Sequence, residues 1–306
     1  MSAHSIEQGA RTALLRSLLF VPGDSERKQS KAAASGADAL ILDLEDSVAP
    51  SQLPAARSRV QEFLRARSST AQQLWVRVNA PGSGQLTADV DAVVAGRPDG
   101  LVLPKVGCAE VMEIARHVTQ AESRAGIAAG SIKLIVIATE TPRALLTLGD
   151  YLDTENSRLV GMTWGAEDLS AALGATAKVD EAGEWTFTFQ LARSMCLLTA
   201  AAIGVQPIDS VHPAFRDLDG LRRSAVQARK DGFLGKLAIH PDQVGPINAA
   251  FTPTAAEVEH ARRVVELFAQ TPGVGVASLD GQMLDKPHLV LAQRVLELAA
   301  RSAATS

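Results

Sequence analysis

Three carboxylates, Asp43, Glu45 and Asp46, stand directly behind a run built for burial in "LILDLEDSV", residues 40–48. The same placement recurs along the chain. Arg77 and Asn79 end "LWVRVNA", Lys105 ends "GLVLPKV", Glu140 ends "KLIVIATET", and Glu167 with Asp168 ends "LVGMTWGAED". Asp209 and His212 follow the next apolar run, and His240 closes "GKLAIHP". Carboxylates on neighbouring strand ends, with few histidines or cysteines to compete, make a hard oxygen-ligand site that suits Mg2+. Zinc favours His or Cys and is disfavoured. No serine sits in GxSxG and no Cys/His pair shares a motif, so nothing points to a covalent acyl enzyme.

Each of these residues also has a structural reading. A buried Asp43 needs partners; it either salt-bridges Lys105 or takes part in catalysis. Glu45 and Asp46 either cap the helix after "SVAPSQ" or serve the site. Arg77 alternates with Val76 and Val78 in a strand. A lone inward arginine is expensive unless it meets an anion, which favours a site role. Glu140 precedes Thr141-Pro142, a helix start, so it is a cap or a group for metal or proton chemistry; Asp168 carries the same ambiguity. His212 and His240 are each followed by Pro and read as hydrogen-bonded structural histidines.

The elements that must position these groups are eight short apolar runs: 17–23, 38–46, 74–80, 100–106, 133–141, 159–168, 205–211 and 235–241. Amphipathic stretches such as "AEVMEIARHVTQAES" and "LRRSAVQARKDG" lie between them. Strict β–α alternation implies a parallel sheet. Eight repeats over about 240 residues is the size of a (β/α)8 TIM barrel. A doubly wound sheet is the alternative, but neither GxGxxG after the first strand nor GxxxxGK[ST] is present. The barrel is assigned to 12–272, its last helix near 254–270 ending at the Pro/Gly cluster of "TPGVGVASLDGQ". Residues 273–306 form a C-terminal helical extension that a barrel does not need.

With 306 residues, 46% of them hydrophobic, the chain is long enough for one large domain. Its net charge of −4 argues against nucleic acid as a main partner. Two widely separated cysteines, Cys108 and Cys196, suggest neither disulfides nor a zinc site and suit a reducing compartment. The first residues, "MSAHSIEQGARTALLRS", lack a signal peptide's apolar core, and no run reaches membrane-spanning length. The expected setting is cytoplasmic.

"RSLLFVPGDSERK", "ALILDLEDSV", "WVRVN", "GLVLPKV", "WGAEDL", "KLAIHPDQV" and "DGQMLDKP", in this order, resemble the citrate lyase β-subunit-like family of the HpcH/HpaI aldolase superfamily, which includes malyl-CoA and citramalyl-CoA lyases. The match runs from about Arg16 to the C-terminal helix. The resemblance implies a (β/α)8 barrel, agreeing with the strand count, and a Mg2+-dependent lyase. Its substrate would be a 3-hydroxyacyl-CoA, cleaved reversibly to a 2-oxo acid and an acyl-CoA. By resemblance, Glu140 and Asp168 are the metal ligands, with Glu140 also facing the substrate. Arg77 contacts substrate oxygens, and Glu45 and Asp46 orient waters on the metal. Asp285, in "QMLD", is the catalytic acid and lies over a neighbouring subunit's barrel in a homotrimer or hexamer. The coenzyme A contacts fall around Arg16, Phe20, Arg27 and Lys28. Two stretches depart from the pattern: relatives usually read "IETARG" where this chain has "TETPRALL", and many lack the "VHP" of 211–213. Three rival readings stand beside this one: a citrate lyase β subunit, a malyl-CoA thioesterase and, from a different class, a non-catalytic CoA-ester-binding barrel.

Overall fold

In the computed structural model, which describes residues 14–67, 71–270 and 275–304, all eight apolar runs become strands. They are β1 (Ser17–Pro22), β2 (Ala39–Asp43), β3 (Gln73–Arg77), β4 (Gly100–Leu103), β5 (Lys133–Ile137), β6 (Leu159–Thr163), β7 (Gln206–Asp209) and β8 (Gly235–Ala238). Between and after them run α1 (Glu26–Ala33), α2 (Leu53–Arg65), α3 (Leu86–Val94), α4 (Cys108–Arg124), α5 (Pro142–Leu146), α6 (Ala166–Leu173), α7 (Phe187–Ile203), α8 (Leu218–Asp231) and α9 (Val244–Phe251). Each strand pairs in parallel with the next, and β8 pairs with β1, so the sheet closes into a (β/α)8 barrel.

The period-two alternation of strand side chains divides the core into two shells. Leu19, Val21, Leu40, Leu42, Leu74 and Val76 pack outward against the helices. Leu18, Ala39, Ile41, Trp75, Val102, Ile135, Ile208 and Leu237 form the barrel interior. Trp75 fills so much of it that a Cβ on Gly100 would stand 2.2 Å from the indole ring. The same alternation turns Asp43 and Arg77 inward, because they follow Ile41 and Trp75 by two residues on β2 and β3.

The strands stop before the apolar runs do. Glu45, Asp46, Lys105 and Glu140 therefore lie on the loops past the carboxyl ends, and Asp168 sits in the first turn of α6. That end of a (β/α)8 barrel is where catalytic groups collect.

Residues 252–304 pack as a compact unit of their own. It comprises α10 (Ala255–Gln270), an antiparallel hairpin of β9 (Val276–Leu279) and β10 (Gln282–Asp285), and α11 (Lys286–Ala304). Asp280 and Gly281 make the hairpin turn with φ of 48° and 80°. This is the Asp-Gly pair that two-residue hairpins favour. Ala261 and Val264 of α10 bury against Leu284 and Ala292. By packing, then, α10 belongs with the tail, and the helix that follows β8 is α9; the sequence reading gave 254–270 to the barrel. The cluster at 271–274 and the first thirteen residues lie outside the described residues. Among the described residues no helix is long and apolar enough to cross a membrane.

Candidate active site

Asp43 and Arg77 are register partners across β2 and β3, and both point into the mouth. The guanidinium donates from Nε to Asp43 Oδ1 at 2.7 Å and from Nη2 to Oδ2 at 2.8 Å. Its Nη1 stands 3.0 Å from Glu45 Oε2 and 3.8 Å from Asp46, and its flat face lies over the Phe20 ring at 4.8 Å. Burial pushes the Asp43 carboxyl up, but the hydrogen bonds and charge of Arg77 outweigh it and hold Asp43 below the usual range. Asp43 also accepts from the backbone N–H groups of Glu45 and Ser47, which shapes the loop that carries the other two acids.

Lys105 has a left-handed backbone, φ 54°. Its N–H donates to Glu140 Oε2 at 2.7 Å. Its Nζ lies 2.7 Å from Glu45 Oε1, 3.3 Å from Asp168 Oδ1 and 3.7 Å from Asp46 Oδ2. Burial works against its charge, yet the surrounding carboxylates raise its pKa. Lys105 thus pairs with Glu45, and the acid expected to pair with it, Asp43, goes to Arg77.

Glu140 is 5% exposed. Burial, foremost, and then the charges of Asp168 and Glu45 push its carboxyl up to about 8, against the opposing pull of Lys105. Glu140 is not the cap of the following helix: Thr141 is, its hydroxyl accepting from Ala144 N at 3.1 Å. Gly165 leaves room for Glu140, since a Cβ there would meet Glu140 Cγ at 2.7 Å. Asp168 faces the mouth, whereas its neighbour Glu167 pairs with Lys178.

A cavity of about 410 Å3 opens here. Asp43, Asp46, Arg77, Glu140 and Asp168 line one side; Phe20, Ile137, Val211, Leu237 and Ile239 contribute apolar surface. A buried glutamate held protonated up to about 8, with a second carboxylate beside it, is a site short of positive charge. Among the described residues no cluster of three or more His, Cys, Asp or Glu is arranged to hold a metal. Glu140 and Asp168 are by themselves two oxygen donors, the kind of set from which a hard divalent cation takes one or two protein carboxylates, filling its shell from water or substrate.

Other polar strand-end residues have structural partners. Asn79 donates to Asp89 and to the Leu44 carbonyl. Asp209 is buried among Lys236 at 2.6 Å, Trp164 Nε1 at 2.8 Å and Arg193 at 3.1 Å. His240 Nδ1 accepts from Asp242 N, and its ring stacks on Phe215 at 5.1 Å. Arg16, expected among the coenzyme A contacts, is corrected by its position. It precedes β1, and its guanidinium closes on Asp38, which precedes β2, at 2.9 and 2.8 Å. A buried bidentate pair at the amino ends of the strands ties the barrel's far end and does not reach the mouth. Phe20 lines the cavity, and Arg27 and Lys28 are exposed on α1 just beyond β1. Asp285 ends β10 in the C-terminal unit, exposed, with its carboxylate 2.5 Å from His288 Nδ1.

Fold and site together define a (β/α)8 barrel with a carboxylate-lined mouth at the carboxyl ends of its strands. The chain belongs to the HpcH/HpaI aldolase/citrate lyase family, whose model matches residues 16–241. It is 35% identical over 292 residues to a (3S)-malyl-CoA thioesterase of Cereibacter sphaeroides, covering 94% of this chain and 96% of that one. It is 36% identical over 305 residues to the citrate lyase subunit beta of Escherichia coli, covering 99% and 98%. Among solved structures, protein CitE from Mycobacterium tuberculosis in complex with magnesium, acetoacetate and coenzyme A is similar with a TM-score of 0.77 and 32% identity. That match covers 95% of this chain and 99% of the other.

Proposed function

We propose that this chain is a Mg2+-dependent carbon–carbon lyase. Its substrate is a 3-hydroxyacyl-CoA of the malyl-CoA or citramalyl-CoA type, cleaved reversibly to glyoxylate or pyruvate and an acyl-CoA. Glu140 carries this reading: a deeply buried carboxyl with a raised pKa, beside Asp168, in a cavity whose one lining cation among the described residues is Arg77. The magnesium and coenzyme A bound by the similar Mycobacterium tuberculosis protein support it.

Glu140 and Asp168 would hold the cation. When bound, Mg2+ would supply Lewis-acid stabilisation to the substrate oxygen that turns from hydroxyl to carbonyl, the hydroxyl proton passing to water as the carbon–carbon bond breaks. Arg77, pinned by Asp43, offers its remaining N–H groups to the thioester oxygen as enolate charge develops there. Lys105 and Arg77 share the two oxygens of Glu45 and so fix the acids around the cation site. Asp285 is the proposed acid that protonates the enolate carbon, and the same group removes that proton in the synthetic direction. It is proposed to act over the barrel of a neighbouring chain in a homotrimer or hexamer. Phe20, Arg27 and Lys28 are the proposed coenzyme A contacts. With Arg77 the one lining cation among the described residues, and with an apolar wall, the cavity suits a malyl or citramalyl group better than a citryl group, which brings one further carboxylate. The two free, buried cysteines accord with a cytoplasmic setting.

The 35% identity to a malyl-CoA thioesterase favours a second reading, in which the same residues direct water onto the thioester. Incubation with Mg2+ and malyl-, methylmalyl- and citramalyl-CoA separates the two. Release of a 2-oxo acid with an acyl-CoA is the expected outcome; free malate without glyoxylate selects the thioesterase. Glu140→Gln and excess chelator should each abolish turnover, and full activity in either removes the cation from the reaction.

A further inference from the structure

Lys105 stands in a backbone region that residues with side chains rarely adopt. From that position its N–H donates to Glu140 Oε2. Glycine would hold that shape without steric cost and donate the same hydrogen bond. The lysine side chain therefore answers a separate need. Its ammonium reaches Glu45 at 2.7 Å, Asp168 at 3.3 Å and Asp46 at 3.7 Å, while Glu45's other oxygen faces Arg77. Without it, Asp46 and Asp168 would face Glu45 and Glu140 with Arg77 as the remaining cation near them, and Arg77 is committed first to Asp43.

We propose that Lys105 is the resident counter-ion of this acid cluster, neutralising in the cation-free protein the charge that a divalent cation neutralises on binding, and so limiting how tightly that cation is held. The inference rests on the cation reading given above. A divalent cation at Glu140 and Asp168 must either displace the ammonium from Asp168 or tolerate a like charge close by, and both oppose binding. The side chain is 26% exposed on a flexible four-carbon stem, so withdrawal toward solvent is open to it. Lys105 is a positioning residue here: it sets the charge and spacing of the acids and does not itself touch the reacting atoms.

Mn2+ titration of the whole chain by calorimetry, with bound Mn2+ followed by electron paramagnetic resonance, tests this without substrate. Lys105→Gly and Lys105→Met should each bind Mn2+ ~10-fold tighter or more, the scale of losing one repulsive charge at a part-buried site. Lys105→Arg keeps the charge and should stay near the parent affinity. Thermal melts without cation should fall for Lys105→Met and recover further on adding Mn2+ than the parent does. Unchanged or weaker Mn2+ affinity in both neutral variants overturns the proposal, provided Glu140→Gln still abolishes binding in the parent background. If the parent and every variant fail to bind Mn2+, the cation reading falls and this proposal falls with it.

Discussion

Arg77 meets Asp43, Glu45 and the face of Phe20 at once, and that tells which property of the side chain matters. A planar fork closes two parallel hydrogen bonds on Asp43 and still has N–H groups left for a ligand; an ammonium has no such geometry. Arg77→Lys keeps the charge and should nevertheless lower kcat/KM by ~100-fold or more, the scale of losing one oxyanion donor. Steady-state kinetics beside a circular dichroism melt checks this: near-parental turnover would reduce Arg77 to a structural role. The polar type and position of Arg77, Glu45, Asp46, Glu140 and Asp168 were legible in the chain, because each follows an apolar run at a strand's end. Their pairing was not. Asp43 goes to Arg77 because β2 and β3 align those two residues, and register is a property of two strands together, invisible in either alone. The αL backbone of Lys105 was equally hidden, since only glycine or asparagine announces such a turn by its type.

At the scale of elements, the two ends of the barrel use charge differently. Before the strands begin, acids and bases close on each other in pairs: Arg16 with Asp38, and Arg158 with Glu122. Glu122, on α4, is fully buried and also accepts from Gly130 N and Ile132 N, tying the α4–β5 loop to the start of β6. Burial raises its pKa, but the Arg158 hydrogen bonds and the two backbone donors outweigh it and leave Glu122 below its usual 4.5. A carboxyl lowered by folding adds stability above its unfolded pKa and loses it as pH falls through the folded one. Urea midpoints should therefore hold from pH 7 to about 5 and drop in more acidic buffer. Glu122→Gln should lower stability by ~3–5 kcal/mol at pH 7, because it leaves a buried guanidinium without its partner, and should flatten the acid limb. An unchanged acid limb in that variant would assign the pH sensitivity elsewhere. Sequence reading gave Arg16 a ligand; its place before β1, against Asp38, makes it one of these ties. All eight strands were legible from apolar runs and alternation, but the small hairpin of β9 and β10 was read as linker, although "DG" at 280–281 is a turn signal.

On the scale of the whole molecule, the barrel and residues 252–304 are separate compact units. The proposed acid, Asp285, belongs to the second unit, whereas Glu140 and Asp168 belong to the first. If Asp285 serves a neighbouring chain, chains inactivated at Asp285 and chains inactivated at Glu140 should each be dead alone. Mixed oligomers of the two should regain part of the activity. Asp285→Asn is the right variant for this, since asparagine has nearly the shape of aspartate and cannot shuttle the proton. No recovery in verified mixed oligomers would return the tail to its own barrel or to no chemistry.

The excess of acids over bases at the mouth has a kinetic consequence. Asp43, Asp46, Glu167 and Asp168 line the cavity as carboxylates, with Arg77 the one lining cation among the described residues and Lys105 behind Asp168, so the acidic charge left over opposes the approach of the polyanionic thioester proposed as its substrate. Encounter between the two is slow until the electrostatic sign of the mouth has been changed. That favours one order of arrival, the cation first and the thioester second, with added salt speeding the association of the unloaded protein more than that of the loaded one.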